Sequence, residues 1–391
     1  MRLLLLSVEF PPGPGGLGTL AFQLACGLQR LGWQVTAATP QTHAAQAEIE
    51  HFNAAQPFPI IQLPFFGPSP LEGFQRLIRL YGLARGARAD ILLGVGRESA
   101  FLGSFLAQLT GLPLALVTAG SEFGGIPLRG FPFGGIRRPL TAWAYHQADL
   151  VIPISQYAAG LVTEQGVSSE RQQVIPCGAD EESFRPGLPV ADLRRQLELE
   201  GRRVLLTVGR LTARKGQEVV LQALPAVLKA VPQAVYLMVG LPADQVRLQA
   251  QAQALRIAEH VRFMGIVPQA QLPRYYNLAD LFVLLSRPDR GQVEGFGIAV
   301  VEAALCGVPA VVSRHGGLPE TVLPGETGLV VPPGDPQAAA QAILRLLADE
   351  PLRQGMGAQA SQYALQHMTW VKVALAYSRA LRQLLAGPMS N

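Results

Sequence analysis

The stretch RLLLLSVEFPPGPGGLGTLAFQLACGLQRLGWQVTAATP, residues 2–40, sets the fold class. It opens on RLLLLSV (2–8), a short continuous apolar run, as in a strand covered on both faces of a parallel sheet. A loop rich in Gly and Pro follows. Next, TLAFQLACGLQRLG carries Leu20, Leu24, Leu28 and Leu31 at helical spacing, with Thr19 as the expected N-cap and Gly32 as the stop. WQVTAATP (33–40) reads as a second strand. Strand, loop, helix and strand make the repeating unit of an α/β fold.

Outward from that unit, DILLGVG (90–96), PLALVTAG (113–120) and ADLVIPIS (148–155) are expected to add strands to the same sheet. The pattern restarts near residue 203 with RRVLLTVGRL, a loop and the helical VVLQALPAVLKAV. AVYLMVG, VRFMGIV, ADLFVLLS, PAVVS and TGLVVPP then read as strands separated by helices. A doubly wound parallel sheet met twice predicts two Rossmann-like domains, 1–183 and 184–369. Residues 177–202, with Pro, Gly and charge, read as the linker. The tail is helical over 352–386 with a break at MTW, and its end, 370–391, is expected to pack back on the first domain.

Composition bounds the function. The 391 residues are 49% hydrophobic and 15% charged, which describes a globular chain with a sizeable core. The three cysteines, Cys26, Cys177 and Cys306, are far apart and form no C-x-x-C, so neither a disulfide framework nor a zinc site is expected. A reducing, cytoplasmic setting fits them. The run in MRLLLLSVEF is too short for a secretion signal, and no run of 18 apolar residues predicts a membrane span. The net charge of +4 comes almost entirely from Arg, a residue suited to bidentate contact with phosphate. There is no block of basic residues of the kind that binds nucleic acid.

Gly13, Gly15 and Gly18 fit G-x-G-x-x-G, the dinucleotide fingerprint. An NAD enzyme needs an acid at the end of the second strand to hold the ribose, and AATPQTH offers none. An NAD-dependent oxidoreductase is therefore disfavoured. Gly15 and Gly16 still allow close approach of a ligand, and the N-terminus of the helix beginning near Thr19 suits a phosphate.

The second half is more informative. Glu294 and Glu302 flank GFGIAVV, with Gly295 and Gly297 opening a helix that carries Ile298, Val300 and Val301. A carboxylate such as Glu302 inside an apolar helix needs a partner. That partner is either the hydroxyls of a sugar or ribose, or a structural Arg. Glu294 stands before the helix, where it is either a ligand contact or simple helix-start charge. Arg210 ends a strand and Lys215 follows in the loop, at the strand ends where ligands bind in this architecture. An Arg fork and a Lys point charge there suit a diphosphate; two solvated loop cations are the alternative.

At these residues the chain resembles glycosyltransferase family 4, retaining enzymes of the GT-B fold. The resemblance is carried by PPGPGGLGT (11–19), VIPCGADEESFRP (174–186), VGRLTARKG (208–216), EGFGIAVVEAALCGVPAVVS (294–313), GGLPE (316–320) and GETGLVVPPGD (325–335). It implies two domains facing across a cleft, the first binding an acceptor and the second a nucleotide-diphosphate sugar. By position, Glu302 matches the ribose ligand, Glu294 the donor-sugar contact, and Arg210 and Lys215 the cations on the diphosphate. Arg210, Lys215 and Glu294 are the catalytic candidates. Gly15, Gly16, Gly295, Phe296 and Gly297 join the donor set, with backbone near Gly316 and Gly317. No metal and no cofactor are expected, and the chain has no D-x-D.

Two departures stand out. VTAGSEFGG places Ala119 where the family often has His, so Gly120, Ser121 or Glu122 is left to act on the acceptor side. Cys177 stands where Asn is usual. The expected reaction is transfer of a hexose from the nucleotide sugar to a glycan or lipid-linked hydroxyl. Aromatic segments 57–74 and 122–140, with Phe131, Phe133, Arg137 and Arg138, are either a peripheral membrane contact or ordinary loops. A non-catalytic nucleotide- or glycan-binding protein is the rival class. A GT-B epimerase or a pyridoxal-phosphate phosphorylase is a further alternative, though Lys372 is the only lysine in the last third.

Overall fold

β1 (Arg2–Ser7), β2 (Gln34–Thr39), β3 (Ile60–Gln62), β4 (Ile91–Val95), β5 (Leu114–Thr118) and β6 (Leu150–Pro153) form one parallel sheet in the order β3-β2-β1-β4-β5-β6. β7 (Arg203–Val208), β8 (Ala234–Val239), β9 (Val261–Gly265), β10 (Leu281–Leu284), β11 (Ala310–Ser313) and β12 (Gly328–Val331) form a second, in the order β12-β11-β10-β7-β8-β9. Counted from its own first strand, each sheet runs 3-2-1-4-5-6 or its equivalent, with the first and fourth strands adjacent. This computed structural model describes residues 1–13, 15–42, 44–63, 70–123, 137–289 and 291–387. The fold is GT-B, two Rossmann-like α/β units.

The strands follow their sequence pattern because helices cover both faces. Leu3 to Leu6 of β1 and Leu281 to Leu284 of β10 are buried throughout, so no polar alternation is required. β3 is the strand that sequence reading missed. It has three residues set among prolines, too short to show a period, and it is fixed only by pairing Ile60 and Ile61 with Ala37 and Ala38.

The division between the units falls after Cys177, with Trp370–Asn391 belonging to the first unit and Gly178–Thr369 to the second. The expected linker at 177–202 is not a free connector. Ala179 N donates to Met368 O at 3.0 Å, Leu188 N to Asn277 Oδ1 at 3.1 Å and Asn277 Nδ2 to Arg185 O at 3.0 Å, and a short helix forms at Ala191–Gln196. Backbone polar groups here are satisfied against the second unit, which fixes the segment to it.

In the first unit, the C-terminal helix Trp370–Ala386 packs on the helix Gly16–Arg30. Ala374 seats directly over Gly27, where an added Cβ would lie 2.4 Å from the Ala374 Cβ. Trp33 Nε1 donates to Ser378 Oγ at 2.9 Å, and Arg382 lies over the Trp33 ring. The helix after β1 begins at Gly16, not near Thr19 as expected. Gly15 takes the N-cap position, and the Thr19 hydroxyl donates to Gly15 O at 3.0 Å from inside the first turn. A Thr can back-bond in this way without ending the helix.

Candidate active site

In the second unit the chain order reverses between β7 and β10, and a crevice opens at the carboxyl ends of such strands. The loop after β7 carries Gly209 to Gly216, and the loop after β10 carries Leu285 to Gly297. They are stitched together by Arg287 N donating to Arg214 O at 2.9 Å. Gly216 makes this approach possible. Its φ is +71°, and a Cβ there would lie 1.9 Å from Leu285 O. The helix Gln217–Ala230 then starts immediately behind Lys215, its positive end toward the same loops.

Glu294 is the focus of these loops. Its Oε2 accepts from Arg214 Nη1 at 2.5 Å, from Lys215 Nζ at 2.7 Å and from Ser286 Oγ at 3.3 Å. Burial alone would push this carboxyl up, but Lys215 and Arg214 outweigh it and hold the group at about 2. The backbone of Glu294 is clasped by the turn at Gly316 and Gly317: Gly317 N donates to Glu294 O at 2.9 Å. His315 stands beside the pair. Burial lowers its pKa, with Glu294 opposing and Arg214 assisting, and its Nε2 is buried without a hydrogen-bond partner.

Two of the expected members, Arg210 and Glu302, make no ion pair among the described residues. Arg210 follows β7 as expected, but its side chain is exposed and makes no ion pair among the described residues; its carbonyl accepts from Gln217 Nε2 at 3.2 Å. The cation that meets Glu294 beside Lys215 is Arg214, which sequence reading passed over although it is Lys215's neighbour. Glu302 is buried within the helix Ile298–Leu305, and its partner is neither Arg nor Lys. Tyr276 Oη donates to Glu302 Oε2 at 2.5 Å. Burial raises the Glu302 carboxyl to about 7, with the Tyr276 hydrogen bond opposing. Gly297, at φ +110°, is the N-cap of this helix, Gly295 precedes it, and the Phe296 side chain is buried.

In the first unit, β5 runs straight into Ala119, Gly120 and Ser121. Glu122 is buried, with Thr118 Oγ1 donating to its Oε2 at 2.9 Å and Ala119 N to its Oε1 at 3.2 Å. Its carboxyl is thus turned inward, onto the turn it follows. Arg97 Nη2 donates to Glu122 O at 2.6 Å and to Ser121 O at 3.4 Å, so the turn is held from both sides. At the loop after β1, an added Cβ on Gly15 would lie 2.3 Å from the Glu9 carboxylate, whereas Gly16 is open. Of the segments that suggested a membrane contact, residues 64–69 and 124–136 lie outside the described residues, Phe131 and Phe133 included, and nothing is described of the Arg137 and Arg138 side chains. No described helix is long and apolar enough to cross a membrane, and no cluster of metal-ligating side chains occurs among the described residues.

Both units match models of known protein families. Residues 15–178 match the glycosyl transferase 4-like domain, and residues 190–363 match glycosyl transferases group 1. The chain is 31% identical over 374 residues to a GDP-mannose-dependent alpha-(1-6)-phosphatidylinositol monomannoside mannosyltransferase of Mycolicibacterium smegmatis, covering 94% of this chain and 95% of that protein. It is 28% identical over 414 residues to the D-inositol 3-phosphate glycosyltransferase of Corynebacterium jeikeium, covering 98% and 97%. Among solved structures, HepE of Anabaena in complex with UDP and glucose superposes with a TM-score of 0.80 at 22% identity, over 98% of this chain and all of that one. Sucrose-phosphate synthase of Thermosynechococcus elongatus superposes with a TM-score of 0.81 at 25% identity, over 99% and 100%. With relatedness spanning both units, the chain belongs to the group 1, family 4-like glycosyltransferases and is an enzyme of that class.

Proposed function

We propose that this enzyme moves a hexose, with mannose the first candidate, from a nucleoside-diphosphate sugar to a hydroxyl of a polyol, glycan or lipid-linked acceptor, with retained anomeric configuration and without a metal. The observation that carries the reading is the Lys215–Glu294–Arg214 cluster at the ends of β7 and β10. The names of the relatives, GDP-mannose-dependent and inositol-directed enzymes among them, favour that donor and that kind of acceptor.

In this scheme Lys215, Arg214 and the unpaired Arg210 take the diphosphate oxygens, and Glu294 turns from its cations to accept hydrogen bonds from sugar hydroxyls. The acceptor oxygen bonds to the anomeric carbon on the face the diphosphate leaves. The bond from that carbon to the phosphate oxygen breaks with its electron pair on the phosphate, which also takes the acceptor's proton. Fixed cations stabilise the phosphate charge as it grows in the transition state, and preorganised charge of this kind is usually what accelerates such a reaction most. Glu302 accepts from the ribose. In the first unit, the Ala119–Ser121 turn takes the place of a side-chain His.

Incubating the protein with GDP-mannose, UDP-glucose or ADP-glucose and inositol-type acceptors, with and without EDTA, tests the reading. Transfer unaffected by EDTA, with an α-linked product by NMR, is expected. A β-linked product or loss of activity in EDTA would overturn the retaining, metal-free scheme. A lipid-linked acceptor would bring the chain to a membrane surface, and flotation with anionic liposomes tests that.

A further inference from the structure

Glu302 holds a carboxyl in a nearly apolar helix, 9% exposed, with no cation paired to it among the described residues. One of its oxygens is occupied by Tyr276. That tyrosine is fully buried on the helix Leu272–Leu278, its ring 5.6 Å from Phe184 in an edge-on contact and 5.7 Å from Phe282. These two rings, Phe282 on β10 being one of them, therefore fix where the hydroxyl points. It donates to Oε2 and leaves Oε1 as the oxygen that can face a ligand.

We propose that Tyr276 is a positioning residue for nucleotide binding: its hydroxyl holds Glu302 in the rotamer and the ionised form that accept a ribose diol. The inference rests on the reading of Glu302 as the ribose contact given above. A carboxylate can receive two hydroxyl hydrogens, whereas a carboxylic acid loses one acceptor to its own proton. A phenol hydrogen bond favours the charged form, and burial opposes it. Besides the Tyr276 hydroxyl, the group that faces the Glu302 charge among the described residues is the Cys306 thiol at the end of the same helix. Neither carries a positive charge, so Tyr276 has no substitute.

With Tyr276 in place the carboxyl sits near 7, so nucleotide affinity should weaken below neutral pH. Removing the hydroxyl raises that value further and moves the weakening to higher pH. Glu302 then binds well only where the solution is alkaline enough to ionise it. A purely structural loss would weaken binding equally at every pH.

The test is calorimetric titration of GDP and UDP into wild type, Tyr276→Phe, Glu302→Gln and the double variant, from pH 6 to 9. Taking the ratio of variant to wild-type affinity cancels the nucleotide's own titration. For Tyr276→Phe the ratio should be about tenfold down near pH 6 and about fivefold down near pH 7, the size of a one-unit shift, and return to within about twofold at pH 9. In the Glu302→Gln background the same change should give a flat ratio, which controls for a misfolded variant. A Tyr276→Phe ratio constant across pH, or an equal pH trend with Gln at 302, would overturn the inference alone. No binding of either nucleotide to wild type would overturn the ribose reading and the inference with it.

Discussion

The Lys215 ammonium lies 2.7 Å from the Glu294 carboxylate, although the two residues follow different strands, β7 and β10. The pair is built by close backbone approach. Gly216 lets the first loop touch Leu285, and the turn at Gly316 lets the chain cross directly under Glu294. Site geometry and glycine placement are one design.

Glu294→Gln should therefore leave a folded protein with transfer reduced by two or more orders of magnitude, on the order of what one transition-state electrostatic contact supplies. Donor-concentration kinetics, with circular dichroism as the fold control, measure it. Activity within about threefold of wild type would remove Glu294 from the chemistry.

The same carboxyl makes stability depend on acid. Its folded-state value of about 2 lies below its ordinary 4.5, so the stabilisation is complete above pH 4.5 and disappears as pH falls toward 2. The contribution is on the order of 3 kcal/mol. Comparing melting temperatures of wild type and Glu294→Gln from pH 7 to 3 should show the gap closing on the acid side.

Gly316→Ala tests the turn. At φ +60° a Cβ would lie 2.1 Å from Glu294 O, so that carbonyl must move. A displacement of that kind near a reacting centre costs about a hundredfold in rate. The expected result is a folded variant with lower kcat/KM for the donor. Unchanged kinetics would show that the turn tolerates the shift.

Glu122 should behave in the opposite sense from Glu294. Burial raises its carboxyl, so the folded state keeps that proton to higher pH and stability falls as pH rises through the folded value. Glu122→Gln keeps the shape without the titration, so its melting temperature relative to wild type should rise from pH 4.5 to 8. Glu122→Ala strands the Thr118 hydroxyl and the Ala119 amide, and should cost about 2–4 kcal/mol.

Much of this was legible in the residues. Apolar runs such as RLLLLSV and ADLFVLLS gave the strands, because strands buried on both faces need no alternation. The acids and Lys215 were found because a carboxylate amid GFGIAVV, or a cation at a strand end, has few bland explanations. What stayed hidden depends on tertiary direction. Arg210 and Arg214 flank the same loop, and only its 3-10 turn at Ala213–Lys215 decides which one reaches Glu294. Tyr276 sits in RYYNLAD, an ordinary amphipathic segment, until β10 and the helix Ile298–Leu305 bring Glu302 to it. The segment 177–202 read as a linker because its composition says nothing of the backbone bonds it makes with Asn277 and Met368.

The central claim is that Lys215 and Arg214, held by Glu294, are the grip on the donor diphosphate. Its most direct measurement is calorimetric binding of GDP and GDP-mannose to wild type, Lys215→Ala and Glu294→Ala. Lys215→Ala should weaken both ligands by about a hundredfold or more, the cost of one close phosphate contact in a partly buried site. Glu294→Ala should bind GDP at least as tightly as wild type, its cations released, yet gain nothing further from the attached sugar. Wild-type GDP affinity in Lys215→Ala would contradict the account.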